Sequence, residues 1–426
     1  MHLQTLELTN FRCFRSAKVN FAKSVTIMFA ENGHGKSSIL DALAIAFDEV
    51  VKHHVTGRGG ARGNVALRRE DVRIGEDSAT VAIGVRADRK FDFEWSDSIQ
   101  IEGPAKTRHS QGKRPDDLKS YLERQWNGET LDDAPLAVFY RAHRAFRHRT
   151  DPKNFKLRAF ESKNAFENAL DASAGFEAIQ HWFYQVENEE LREKDRRRDF
   201  DYEDPKLSAV RRAIRGMIPE AGRMGFEAGS TGLSIEWIDT AGRLFLDQLS
   251  DGYRTILAMA MDLAVRLVLA NPKHEDPLSA QCIVLVDEID LHLHPRWQQR
   301  IIGDLCRTFP GAQWVFTTHS PQVLSTVRPE SLLRLRDGGI EPVTGLHTYG
   351  VQSHRVLNEI MEVAARPNIP DMEKKKGALM RDIREDGVSR GMAPPLLAEL
   401  TEILGPDDPF IINAKAEILK RRKSSR

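Results

Sequence analysis

Lys36 and Ser37 close the stretch AENGHGKSS, residues 30–38. An ammonium followed by a hydroxyl, with glycines just upstream, is the chemistry of a phosphate cradle. Gly33 and Gly35 let backbone N–H groups approach the phosphates, with Asn32 and Ser38 in the same loop and helix start. Lys36 would reach the β- and γ-phosphates, and the Ser37 hydroxyl would hold Mg²⁺. Position 30 is alanine where the usual pattern has glycine, and a methyl group is tolerable there if φ is negative. Far downstream, CIVLVDEIDLHLHP (282–295) carries an apolar run into Asp287 and Glu288. Asp287 suits Mg²⁺, mostly through water, and Glu288 suits the task of orienting and polarising an attacking water. QWVFTTHS (313–320) ends another apolar run at His319, placed to touch a γ-phosphate and register its loss. In LSDGYR (249–254), Ser250, Asp251 and Gly252 precede an amphipathic helix, whose start is an anion site with Ser250 as N-cap.

Such residues act together only if strands and helices bring them to one edge. SVTIMFA (24–30) reads as a buried strand, and SSILDALAIAF (37–47) puts Ile39, Leu43 and Phe47 on one helical face. A buried parallel strand ending in Asp287 and Glu288 places both acids at the carboxyl edge of a sheet, beside the phosphate loop. APLAVFYRAHRAF (134–146) is a further apolar strand, ending in Tyr140 and then arginines. MHLQTLELTNFRCF alternates like a first strand, so no secretory signal is expected.

The 426 residues suffice for two or three domains. Basic and acidic residues balance at 62 each, so any nucleic-acid contact must come from a local patch. Three cysteines without a Cys-x-x-Cys pair fit a reducing cytoplasm and argue against a zinc ribbon. The apolar stretch 256–270 contains Asp262 and Arg266 and is too charged to span a bilayer, so no membrane association is expected.

In combination, NGHGKSS, LSDGYR, VLVDEIDLHLHP and FTTHSP resemble the ABC-type ATPase head, and more narrowly its RecF/SMC-related branch, whose members often begin with a strand and then Asn-Phe-Arg, as in LELTNFRCF. The resemblance implies an α/β P-loop NTPase with a mixed sheet flanked by helices, a helical lid insertion and a helical C-terminal region. The boundaries expected are an N-terminal ATPase part at 1–140, a lid at 141–265 ending in the signature helix, a C-terminal ATPase part at 266–350 and a partner or oligomer region at 351–426. It implies that Lys36, Ser37, Asp287, Glu288 and His319 serve one ATP, while Ser250 and Gly252, in the place of the family's LSGGQ, serve the ATP of a second subunit in a homodimer or higher homo-oligomer. HLHP (292–295) then reads as the interface loop following the acidic strand, and Arg12 matches an arginine that contacts nucleotide in this branch. The sequence departs from the family at Ala30 and at the Q-loop, where RREDVRIG offers Asp71 in place of a glutamine, so ATP binding is the firmer expectation and hydrolysis the weaker.

No sustained heptads separate VFYRAHRAF from LDQLSDGYR, which excludes long coiled-coil arms. The intervening residues carry basic clusters at 141–149, 192–198 and 211–215, where DNA contact competes with an ordinary solvated face. The strand ending in tyrosine and arginine, and the tail from LHTYG through AARP to DDP, are similar to compact ATPases that include the ATPase subunit of Septu-type (PtuA-like) anti-phage systems. That likeness implies a sensor ATPase controlling a separate effector nuclease, of HNH type in preference to Toprim type, with Arg144 facing nucleotide or interface. The alternative is a RecF-like repair or recombination ATPase acting on DNA itself.

Overall fold

Four strands made almost wholly of apolar residues run side by side because only a sheet covered on both faces can bury them completely. They are β3 (Val25–Phe29), β7 (Leu136–Tyr140), β11 (Cys282–Val286) and β12 (Ala312–Thr318), and every residue in them is buried. In the computed structural model they form a six-stranded sheet with β13 (Leu332–Arg336) and β14 (Gly339–Pro342), in the order β14-β13-β3-β12-β11-β7. The five strands from β13 to β7 are parallel and β14 is antiparallel. The structure describes all residues except 57–64, 89–90, 104–105, 113–115, 127–132, 143–159, 175, 227–231, 239–241, 364–368, 385–392 and 425–426.

A second sheet is antiparallel, in the order β2-β1-β4-β5-β6, built from β1 (His2–Phe11), β2 (Phe14–Asn20), β4 (Ser78–Asp88), β5 (Phe91–Gly103) and β6 (Lys106–Gln111). Helix α1 (Lys36–Thr56) is buried nearly all round, as expected of a helix whose apolar residues encircle it. Trp95 of β5 donates its indole N–H to the Ala46 carbonyl of α1 at 3.0 Å and packs edge-on against Phe47. The antiparallel sheet therefore grips the helix that follows the phosphate loop.

The segment expected to be a helical lid holds α3 (Phe176–Arg197) and α4 (Pro205–Met217), but also a three-stranded antiparallel sheet, β8 (Ala221–Phe226), β9 (Leu233–Trp237) and β10 (Arg243–Phe245). The lid thus carries a small antiparallel sheet beside its helices. In sequence, GFEAGSTGLSIEW carries glycines and small polar residues between two apolar runs, the composition expected of a hairpin. Helix α5 (Asp251–Ala270) follows.

The chain divides into Met1–Met361 and Glu362–Arg426. The other α-helices among the described residues of the first unit are α2 (Asp116–Trp126), α6 (Pro295–Gln298), α7 (Ile301–Thr308), α8 (Pro321–Leu324) and α9 (Ser353–Arg355). The second unit contains α10 (Pro370–Arg384), α11 (Ala393–Leu404) and α12 (Pro409–Ser424), numbered after the four short α-helices, α6 to α9, that follow α5. It has its own core of Leu379, Ile383, Leu400, Ile411 and Ala414.

Candidate active site

Strand register brings the candidate residues to one edge. Val286 lies level with Tyr140 on one side and Phe316 on the other, while Thr318 is level with Phe29. The loop after β3, the acids after β11 and the histidine after β12 thus leave the sheet together at its carboxyl ends, where open α/β sheets hold ligands.

Between β3 and α1 the chain turns through Gly33 at φ +85 and Gly35 at φ +92, a region that disfavours side chains. Gly35 also packs so closely against the β1–β2 turn that a Cβ there would stand 2.5 Å from Cys13 Sγ. Ala30 is buried and is not among the positive-φ residues, so its methyl group is accommodated. Lys36 is buried and donates to the Ala30 carbonyl at 3.0 Å and the Glu31 carbonyl at 3.1 Å. Burial lowers its pKa, opposed by the charges of Glu288, Asp287 and Asp290. Asn32 is exposed on the loop.

Ser37 Oγ donates to Asp287 Oδ2 at 2.8 Å. This unites a hydroxyl and a carboxylate that lie 250 positions apart. Thr317, which the sequence reading passed over, ties the acids together. Its hydroxyl donates to Asp287 Oδ1 at 2.5 Å and accepts the Glu288 N–H at 2.7 Å. Glu288 sits at φ +48, a conformation costing a non-glycine residue roughly 1 kcal/mol or more, of the kind concentrated at functional sites. Asp290 was also passed over. It accepts from Thr318 Oγ1 at 2.6 Å and from the His319 N–H at 3.3 Å. Its signal was a third acid three positions after Asp287 at the same strand end. Burial and then Lys36 lower the His319 pKa, which favours the neutral imidazole.

Arg12, at φ +49, binds Asp71 through Nε at 2.9 Å and Asp41 through Nη1 at 2.6 Å, with Ser38 Oγ at 3.5 Å. Burial works against its charge, but the two carboxylates outweigh it and raise its pKa. The Asp71 carboxylate binds Arg12 and the Arg68 N–H, so Asp71 reaches the loop helix through Arg12. Arg141, also missed, donates to the other Asp41 oxygen at 2.6 Å. Arg144 lies outside the described residues.

Ser250 and Asp251 are exposed at the start of α5. Ser250 occupies the N-cap position but makes no side-chain cap bond, contrary to the capping expected, and Asp251 pairs with Arg254. Gly252 is packed so that a Cβ would lie 2.7 Å from the His292 carbonyl oxygen, and Tyr253 stacks edge-on against both Trp237 and Trp297. The helix start is therefore seated on the HLHP segment of its own chain.

The oxygen donors of Ser37 and Asp287 fit Mg²⁺, which takes few protein ligands and completes its shell with water and phosphate oxygens.

Residues 31–325 match a family model described as "AAA domain, putative AbiEii toxin, Type IV TA system", and residues 1–56 match one described as "Protein of unknown function (DUF2813)". The chain is 27% identical to the Retron Ec83 probable ATPase of Escherichia coli, over 99% of this chain and 87% of that protein. It is 25% identical to the Septu protein PtuA of Bacillus mycoides (strain KBAB4), over 75% of this chain and 38% of PtuA. Among solved structures, the SMC head domain from Thermotoga maritima aligns with 80% of this chain and 99% of its own at 18% identity, with a TM-score of 0.44.

Proposed function

We propose, from the premise that this chain belongs to the AAA-domain family whose model spans residues 31–325 and is an ATPase with an ABC-type head, that two copies hold ATP between them and that their closure controls a separate effector nuclease in an anti-phage defence complex. The observation that carries this reading is the Ser37–Asp287–Thr317–Glu288 cluster at the carboxyl edge of the sheet. The relatives named retron ATPase and Septu protein support the defence role.

Lys36 leaves the Ala30 and Glu31 carbonyls to neutralise the β- and γ-phosphates, and the loop N–H groups complete the cradle. Ser37 and Asp287 would hold Mg²⁺, which would offset charge on the phosphates. Glu288, fixed by its backbone bond to Thr317, orients the attacking water and accepts its proton. His319 faces the γ-phosphate as a neutral imidazole. Arg12 reaches the nucleotide from its seat between Asp41 and Asp71, beside Ser38. Ser250, exposed and free of a cap bond, and the N–H groups at Asp251 and Gly252 meet the γ-phosphate bound by the other copy.

The effector is of HNH type in preference to Toprim type. Direct action on DNA is the weaker reading because four of the described lid arginines meet acids within the chain. Arg211 binds Glu190, Arg212 binds Asp276, and Arg196 and Arg197 bind Glu193. No helix among the described residues is long and apolar enough to cross a membrane.

The shared site is tested by mixing an Asn32→Cys protein with a Ser250→Cys protein and adding a short bifunctional crosslinker. The proposal expects an ATP-dependent product of two chains. A doubly substituted single chain that crosslinks internally, with no product between chains, contradicts it.

A further inference from the structure

Tyr140, Asp262 and Arg266 form a buried polar chain that the nucleotide chemistry does not use. All three are at most 5% exposed. Tyr140 ends β7, and its hydroxyl donates to Asp262 Oδ2 on α5 at 2.7 Å. Arg266, one turn further along α5, donates from Nε to the same oxygen at 2.8 Å and from Nη1 to the carbonyls of Ala165 and Glu167 at 2.6 and 3.0 Å. Burial, and then the Asp262 charge, hold the Tyr140 phenol well above its usual pKa, so it remains the donor.

The two ends of Tyr140 face different machinery. Its carbonyl accepts the N–H of Asp287 at 2.9 Å, the backbone of the residue whose carboxylate meets Ser37. Its hydroxyl holds the helix whose start carries Ser250 and Gly252. The next residue, Arg141, binds Asp41 on α1, one helical turn past Ser37. One dipeptide thus touches the phosphate-loop helix, the acidic strand and the signature helix. A buried ion pair is costly to desolvate, and apolar side chains of similar volume often hold a core as well or better. Stability alone therefore does not explain why charge and a hydroxyl stand here.

We infer that Tyr140 is a positioning residue, which fixes the signature helix α5 relative to Asp287 through the bond to Asp262, so that nucleotide bound at one half-site sets the geometry of the other. The inference rests on the ATP-sandwich reading above.

The test compares the full-length wild type with Tyr140→Phe, which removes only the hydroxyl, and with Val138→Ala, which removes buried packing from the same strand while every hydrogen-bonding group of the polar chain is kept. Tyr140→Phe is expected to lower kcat for ATP hydrolysis about tenfold while KM stays within about twofold, because the lost bond acts on geometry and not on ATP affinity. Val138→Ala is expected to lower the melting temperature at least as much and to keep kcat. Equal kcat in Tyr140→Phe and the wild type overturns the inference, and so does a loss of kcat that follows the melting temperature in both variants. Hydrogen exchange of residues 250–262 with a non-hydrolysable ATP analogue gives a readout independent of turnover. Protection on nucleotide binding that is lost in Tyr140→Phe supports the positioning role even in a protein that turns ATP over too slowly to measure. Protection that is unchanged overturns it. Failure of the shared site itself appears separately, as the absence of the crosslink between chains.

Discussion

Gly35→Ala should damage the phosphate loop in a way that Gly33→Ala does not. Both positions have positive φ, +92 and +85, so any side chain costs roughly 1–2 kcal/mol in backbone strain. At Gly33 nothing lies within 4 Å of the new Cβ, and strain is the whole cost. At Gly35 the Cβ would lie 2.5 Å from Cys13 Sγ, 2.6 Å from Phe14 Cζ and 2.8 Å from Phe14 Cε2. Phe14 is fully buried and has no room to swing aside, so the overlap adds about 1–3 kcal/mol of overpacking. The totals expected are about 2–5 kcal/mol for Gly35→Ala and about 1–2 kcal/mol for Gly33→Ala. Urea unfolding followed by tryptophan fluorescence measures both, since Trp95 and Trp314 are buried in the ATPase unit. Cys13→Ala added to Gly35→Ala should recover part of the loss. Equal destabilisation by the two alanines, or no recovery on removing Cys13 Sγ, would refute the packing argument.

Lys36→Ala removes the charge-assisted contact to the phosphates and should weaken binding of an ATP analogue about 10- to 100-fold or more by calorimetry; unchanged affinity would contradict the phosphate-loop assignment. His54 of α1 stacks on Phe166, and burial lowers its pKa from 6.5 to about 4. The unfolded chain therefore binds the proton more readily, so the stability associated with neutral His54 is present above pH 6.5 and is lost as pH falls toward 4. His54→Phe should match the wild type near pH 7 and exceed it by about 3 kcal/mol near pH 4, and parallel unfolding curves across that range would show that the pKa is not lowered.

The ATPase core was legible because its signals are local. Apolar runs that end in Lys36-Ser37, Asp287-Glu288 and His319 announce strands, and a strand end defines where the following side chain stands. What escaped was cross-strand. Thr317 looks like one more polar residue at the end of β12, and only the β11–β12 register puts its hydroxyl between Asp287 and Glu288. Arg141 drew less notice than Arg144 because nothing near it in sequence reveals Asp41 as its partner. The basic clusters of the lid looked available because Glu190, which engages Arg211, lies 21 positions away. Asp71 stood near the expected glutamine, but its place beside Arg12 depends on a bridge between Phe11 and Val72 that propensity does not reveal. The β8–β10 sheet was lost among helices because its strands are short, although glycines stand between the first two apolar runs.

The shared ATP site is the centre of this account, and the mass of the Glu288→Gln protein in solution tests it most directly. This variant should bind ATP and Mg²⁺ without consuming them, so ATP persists as the bridge between two chains. Light scattering after size exclusion should give one chain of 48.2 kDa without nucleotide and twice that mass with ATP, and Ser250→Arg in the same background should return it to one chain while ATP remains bound. A protein that binds ATP yet stays at one chain, or one that pairs equally well without ATP and with Ser250→Arg, would contradict the account.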